Sequence, residues 1–223
     1  MRKSLRNLGS KLLTLFQRKK PVELIKDIQI LRANDNQTVG AKIIRLNAAD
    51  SRERIDKTWW NLLNVDPQDI YDEGDSHWNW ENLVKDYGNL ILHECVAILS
   101  KENYLEGSMI YHFNAKSKLE LGKGSVYVER VSSAPRNRNW LVNNPLYKGV
   151  GTVLLYWAVK ESYNSGLGGR VSLESLPTPS TVKFYKNKGF VRTNLTQPSN
   201  DLVDYELPGI AALDWLKKEG DLS

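Results

Sequence analysis

Residues 147–152 read YKGVGT, and the fold turns on this stretch. Gly149 and Gly151 stand two apart between a strand-like and a helix-like segment. Their freedom in φ lets the backbone turn tightly there. The first N–H groups of the following helix have no intrahelical acceptor. They point outward at the positive end of the helix dipole, an arrangement suited to an anion such as a pyrophosphate. Lys148 sets a mobile positive charge beside them. Taken alone, the same six residues also describe an ordinary strand–helix turn, so the flanks must discriminate.

Upstream, Val126–Pro135 (VYVERVSSAP) reads as a strand ending in proline. Downstream, Gly149–Asn164 reads as a helix closed by Gly166, Gly168 and Gly169. Arg170–Ser175 alternates as a strand, and Thr178–Lys188 is a helix closed by Gly189. Phe190–Thr193 and Leu202–Leu207 are short strands, and Gly209–Lys218 is a last helix. Working back toward the start, Ser125–Ser133, Glu106–Phe113 and Leu90–Leu99 form a three-strand meander, with Asn114–Gly124 as a hairpin turn. Before it come a strand at Ala41–Leu46, a helix at Ala49–Val65, a turn-rich acidic loop at Asp66–Asp75 and a short helix at Trp78–Tyr87. This order predicts an α/β (α+β) fold. Its centre is a mixed, mostly antiparallel, twisted sheet of six to seven strands flanked by helices.

Three blocks, VYVERVSSAP, YKGVGT and VSLESLPTPSTVKFYKNKGF, stand in this order. Together they resemble the GNAT family of N-acetyltransferases. The resemblance runs over Ala41–Leu207 and is most specific over Val126–Phe190. That family's phosphate loop reads Arg/Gln-x-x-Gly-x-Gly/Ala; here the stretch is Leu146-Tyr147-Lys148-Gly149-Val150-Gly151. Both glycine positions match, and the Arg/Gln position is Leu146. The link Arg136–Pro145 is longer than usual. Either Arg136 and Arg138 lend charge to the cofactor's phosphates, or the link is a surface excursion.

The resemblance implies acetyl-CoA as acyl donor and an amine as acceptor. It implies cofactor contacts at Val131, Ser132 and Ser133, whose backbone would pair with the pantetheine arm. Lys148, Gly149, Val150, Gly151 and Thr152 would hold the pyrophosphate, and Thr178 falls where the family has a cofactor-touching asparagine. A backbone N–H near Ser133 would polarise the thioester carbonyl, worth about 3 kcal/mol per donor in such sites. Tyr185 stands where the family often places a tyrosine near the CoA sulfur, and a phenol there can protonate the departing thiolate. Glu129 is the first candidate for the base that deprotonates the amine, with Glu174 as competitor. His93 and His112 also titrate near working pH. The three histidines are too scattered along the chain to predict a metal site.

In such a fold the early helices and their loop form the acceptor wall. Here this region carries Asp66, Asp69, Asp72, Glu73, Asp75 and Glu81 beside Trp59, Trp60, Tyr71, Trp78 and Trp80. Acids with aromatics suit a cationic amine. Trp59 and Trp60 read as core, whereas Trp78 and Trp80 suit core or acceptor wall.

Composition bounds the rest. The chain has 223 residues, 41% hydrophobic and 26% charged, which is ordinary for a globular protein. Cys95 is its single cysteine, so no internal disulfide forms and a reducing cytoplasm fits. The net charge of +5 belongs to residues 1–20, which hold seven basic side chains and no acid. Without those seven, 24 basic face 26 acidic residues, a net charge of −2 over residues 21–223. Little argues for a nucleic-acid-binding face on that part. Leu5, Leu8, Leu12, Leu15 and Phe16 give residues 1–20 the period of a basic amphipathic helix, suited to a membrane surface or a partner, or simply a solvated terminus. The chain thus divides into an extension, 1–20, and an acyltransferase-like domain, 21–223. A homodimer stays open. So do two other readings: a GNAT-like module that binds CoA or a partner without turnover, and a toxin-like acetyltransferase acting on aminoacyl-tRNA. A dinucleotide-binding fold is disfavoured, since no Gly-x-Gly-x-x-Gly occurs.

Overall fold

In the computed structural model, residues 23–193 and 202–222 are described. The basic segment 1–20 lies outside them. Among the described residues, nine strands form one sheet: β1 (Leu24–Arg32), β2 (Thr38–Arg45), β3 (His93–Ser100), β4 (Leu105–Lys116), β5 (Gly124–Ser133), β6 (Tyr147–Lys148), β7 (Val171–Ser175), β8 (Val191–Arg192) and β9 (Val203–Leu207). Their order across the sheet is β6-β1-β2-β3-β4-β5-β7-β9-β8. All neighbours are antiparallel except β5 and β7. The helices are α1 (Ala48–Ser51), α2 (Pro67–Tyr71), α3 (Trp80–Tyr87), α4 (Val150–Asn164), α5 (Pro179–Asn187) and α6 (Gly209–Lys218).

The central strands are apolar on both faces because both faces are covered. Successive side chains point to opposite sides of a strand. Ile43, Val96, Ile98, Met109 and Tyr111 therefore pack with α4 and α6 on one face. Ile44, Cys95, Ala97 and Ile110 pack with Ile55, Trp59, Trp80 and Val84 on the other.

Two strands were not anticipated. β6 is two residues long, too short to leave a period in the sequence. β1 carries a register shift near Leu24–Lys26 and sits toward the sheet edge, so its alternation is broken. The mostly antiparallel sheet is as expected, with nine strands in place of six to seven. The long helix at Ala49–Val65 is also corrected: a four-residue α1 runs into a single wide turn at Arg52–Asp56 and then into irregular turns. Tertiary ties override the helical period there. Trp59 Nε1 donates to the Leu105 carbonyl at 3.0 Å. The Asp56 carboxylate caps α3, accepting from the Trp80 and Glu81 N–H groups at 2.8 and 2.9 Å. Inside the acidic loop, Asp66 caps α2 with Pro67 in its first turn, a signature written in the sequence.

One irregularity positions the site. Ile110 pairs with Arg130, but Tyr111 pairs with Val128. Glu129 is the extra residue of a β-bulge, a device that re-aims a side chain. Parity changes across it: Val126, Val128 and Val131 all pack on the α4 face, although the last breaks the even numbering.

Candidate active site

The strands β5 and β7 pair only over Val126–Val128 and Val171–Leu173. Beyond that point they separate. Ala134 N–H donates to the Glu106 carbonyl across β4. By strand alternation the N–H groups of Ser133 and Val131 turn the other way, toward the edge that β7 leaves open. That edge faces a cavity of about 520 Å³ lined by Val131, Ser132, Ser133, Lys148, Gly149, Val150, Gly151 and Thr152, with Thr181 and Tyr185.

The helix α4 starts at this cavity. Gly149 has φ 72°, a left-handed conformation that glycine adopts without strain. The first intrahelical bond runs from Val153 N–H to the Gly149 carbonyl, and no side chain caps the helix. The N–H groups of Val150, Gly151 and Thr152 therefore lie ahead of the ladder at the positive end of the dipole. A Cβ built on Gly151 meets nothing within 4 Å, so the residue fronts open space. Lys148 Nζ reaches Asn36 Oδ1 at 3.1 Å.

A second cavity of about 520 Å³ lies on the other side of the β5 end. It shares Val131, Ser132, Ser133 and Tyr185 with the first and adds Glu129, Glu174, Tyr127, Trp78, Glu73 and Asp75.

No protein-family model matches this chain, and no curated protein matches it in sequence. Solved structures do match in shape. A point mutant of spermidine N-acetyltransferase from Vibrio cholerae superposes with TM-score 0.51 at 16% identity, covering 78% of this chain and 97% of that one. A protein described as a bacterial toxin gives TM-score 0.52 at 13% identity, covering 79% and 95%. A GNAT-family acetyltransferase from Listeria monocytogenes gives 0.47 at 16%, covering 80% and 98%. This is a GNAT fold.

On this GNAT fold the cofactor residues foreseen from sequence gather in the first cavity, with one exception. Thr178 is absent from the lining: its hydroxyl caps α5, accepting from Thr181 N–H at 3.3 Å. Ser180 and Thr181 line the cavity instead. Leu146 is half exposed at the family's Arg/Gln position.

Neither expectation for Arg136 and Arg138 describes them. Arg136 pairs with the buried Glu106 at 3.0 Å and stacks on Tyr104. Arg138 is buried, 4% exposed. It donates to Asp75, to Glu73 and to the Ser133 carbonyl, and lies over Trp60. Burial works against its charge, but the hydrogen bond and charge of Asp75 and Glu73 outweigh it and raise its pKa. Asp75 also accepts from the Ser132 hydroxyl. Arg138 thus ties the acidic loop to the end of β5. Trp140 joins it, donating from Nε1 to Glu73 at 2.6 Å and lining both cavities. No local pattern announces these ties, because their partners lie more than sixty positions apart.

Tyr185 lines both cavities and is 7% exposed. Burial pushes its phenol up to about 12, against a hydrogen bond with Ser175 that lowers it. It stacks on Tyr205 with ring centroids 5.2 Å apart. The phenol is therefore held protonated at neutral pH, the form that donates.

Glu129 opens into the second cavity, and its Oε1 lies 3.4 Å from His112 Nε2. Burial pulls the His112 pKa down, opposed by the Glu129 charge. His93 and His112, cross-strand partners on β3 and β4, lie with ring centroids 4.8 Å apart. The structure thus brings together two of the histidines that look scattered in sequence. His77 is exposed at the rim of the second cavity. Trp59 and Trp80 are core, whereas Trp78 lines the second cavity with Arg130 5.3 Å from its ring centroid. No described helix is long and apolar enough to cross a membrane.

Proposed function

We propose that this chain is an acyl-CoA-dependent N-acyltransferase, moving an acetyl group from acetyl-CoA to a primary amine by direct attack in a ternary complex. The observation that carries this is one strand edge that β7 leaves unpaired, Val131–Ser133, with an uncapped helix N-terminus opening on one side and a carboxylate-bearing cavity on the other. The pyrophosphate sits at the N–H groups of Val150, Gly151 and Thr152 beside Lys148. The pantetheine arm pairs with the open edge. Its thioester carbonyl reaches the Ser133 N–H, which stabilises the oxyanion as it forms.

Glu129 takes a proton from the acceptor ammonium. The neutral amine attacks the carbonyl carbon, the C–S bond breaks, Tyr185 gives its proton to the leaving thiolate, and the surplus proton on the amide nitrogen restores the phenol. The acceptor is cationic before reaction, and the Glu129 and Glu174 carboxylates with the Tyr127 and Trp78 rings suit it. Spermidine, named for the Vibrio cholerae structure, is therefore the first acceptor to try. A reducing cytoplasm, which supplies acetyl-CoA and suits the lone buried Cys95, is the compartment we assign.

The test is release of free CoA thiol when acetyl-CoA and a panel of amines are mixed with the protein, repeated with Tyr185→Phe. Amine-dependent thiol release that falls in the variant supports the reading. Tight acetyl-CoA binding with no turnover on any amine supports a CoA-binding module instead.

A further inference from the structure

On the face of the sheet toward the acceptor side, the carboxylate proposed as the base meets two histidines to which acyl transfer assigns no part. His93 on β3, His112 on β4 and Glu129 on β5 each offer a ligand atom, and these atoms lie within 4.8 Å of one another. All three residues are half-buried. We propose that they form a site for a divalent transition-metal ion of the Zn2+ type.

The spacing fits such an ion. Zn–N and Zn–O bonds of about 2.0–2.1 Å place neighbouring ligand atoms of a tetrahedron about 3.3–3.4 Å apart. His112 Nε2 and Glu129 Oε1 are already 3.4 Å apart. His93 Nδ1 lies 3.2 Å from the Ile91 carbonyl. A ring nitrogen donating to a main-chain carbonyl leaves its Nε2 lone pair for the metal and fixes the ring, the support metal-bound histidines usually have. Rigid strands carry all three ligands, and the bulge at Glu129 aims its carboxylate. Tyr87 and Tyr127 rings flank the two imidazoles, with centroids 5.7 and 5.4 Å away. Binding through His112 Nε2 moves that ring's proton to Nδ1, so the long 3.4 Å contact from the Asn114 N–H opens on loading. Two imidazoles and one carboxylate favour Zn2+, Ni2+ or Cu2+ over Mg2+, which seeks an all-oxygen octahedron. The fourth position is left to water.

Occupancy also engages the carboxylate proposed as the base. Zn2+ should therefore inhibit turnover in competition with the amine. That arm rests on the acyl-transfer reading; metal binding itself does not.

The experiment is calorimetric titration of the full-length protein, free of CoA, with Zn2+ and separately with Mg2+. The proposal expects one Zn2+ per chain and no Mg2+ binding. His93→Ala and His112→Phe should each weaken Zn2+ at least about tenfold. Co2+ absorption provides a second measurement: a tetrahedral spectrum in the wild type, lost in His93→Gln, reads the site even if the other variants fold poorly. In the inhibition arm, each protein's rate with Zn2+ is taken relative to its own metal-free rate, and that ratio should show inhibition in the wild type and none in His93→Ala. Absence of Zn2+ binding by the folded wild type, or binding unchanged in both histidine variants, overturns the site. Zn2+ binding at this site by a protein that acylates no amine leaves the site standing and overturns the transfer reading alone.

Discussion

On the side of the β5 edge proposed for the cofactor, the groups suited to an anion and to the pantetheine arm are main chain: two glycines, the start of α4 and the turned-out N–H groups of Val131 and Ser133. On the acceptor side the wall is mostly side chain, gathered from the loop before α3, from β5, from β7 and from the Arg136–Pro145 link. The first wall needs a local conformation, which Gly149 and Gly151 specify. The second needs partners brought together by the whole fold, above all Arg138 with Asp75 and Glu73. Main-chain recognition tolerates change in the side chains around it, whereas side-chain recognition changes with each residue. The proposed cofactor is therefore readable by class, and the proposed acceptor is not.

This contrast can be broken most forcefully at Glu129. Glu129→Gln is expected to lower kcat/KM for the amine by about 10³, within the range for a general base, while acetyl-CoA affinity stays near wild type. Steady-state kinetics beside calorimetry checks it. A loss of cofactor affinity in this variant would show that the two sides are not separate.

Tyr185 belongs to both walls. Tyr185→Phe should reduce kcat by about 10² with little change in the KM of either substrate. With the phenol raised to about 12, the rate should hold steady up to about pH 10 as far as this group is concerned. The sign for stability follows. A tyrosine whose folded pKa lies above its unfolded value of about 10 stabilises the fold fully below that value, and the contribution is lost as pH rises toward about 12. Alkaline unfolding of the wild type and Tyr185→Phe should therefore diverge in that window.

Arg138 sharpens the comparison through stability. Arg138→Met leaves the Asp75 and Glu73 carboxylates without their cation, and removing one partner of a buried pair costs about 3 kcal/mol. Urea unfolding should show that loss. Acceptor KM should rise, because the acidic loop loses its tie to β5, while acetyl-CoA affinity moves far less.

Leu146→Arg is the gentlest change. It restores the basic position beside the phosphate cradle at a half-exposed site and should tighten acetyl-CoA by about 0.3–1 kcal/mol, more at low salt. Cys95 should be silent throughout. Burial pushes its thiol up to about 12, so it should not react with a thiol reagent at about pH 8 unless the protein unfolds.

Much of the fold was legible because period and punctuation are local. The meander β3–β5, α4 with its closing glycines, and α6 lie close to the residues read for them. The misread early helix has a physical cause. The stretch Ala49–Val65 has a helical period, yet Asp56 is drawn to cap α3 and Trp59 to the Leu105 carbonyl. Long-range bonds of this kind leave no mark on the period. That the residues from Val131 to Ser133 and from Lys148 to Thr152 share one cavity was legible for the same reason as α4. On the acceptor side, Glu129 could be named but not the bulge that aims it. The sequence does hold one trace of that bulge, since Val126 and Val128 share a parity that Val131 breaks. The His93–His112 neighbourhood follows from strand register, and register is set by pairing across the sheet.

The most direct test of the central claim is calorimetric titration of acetyl-CoA into the intact protein and into Gly151→Trp. Open space in front of Gly151 lets the indole fill the cavity with the fold intact, as circular dichroism should confirm. The account predicts micromolar binding by the wild type and a loss of at least about a hundredfold in the variant, about 2.7 kcal/mol. Absence of binding by the folded wild type, or equal binding by both proteins, would contradict it.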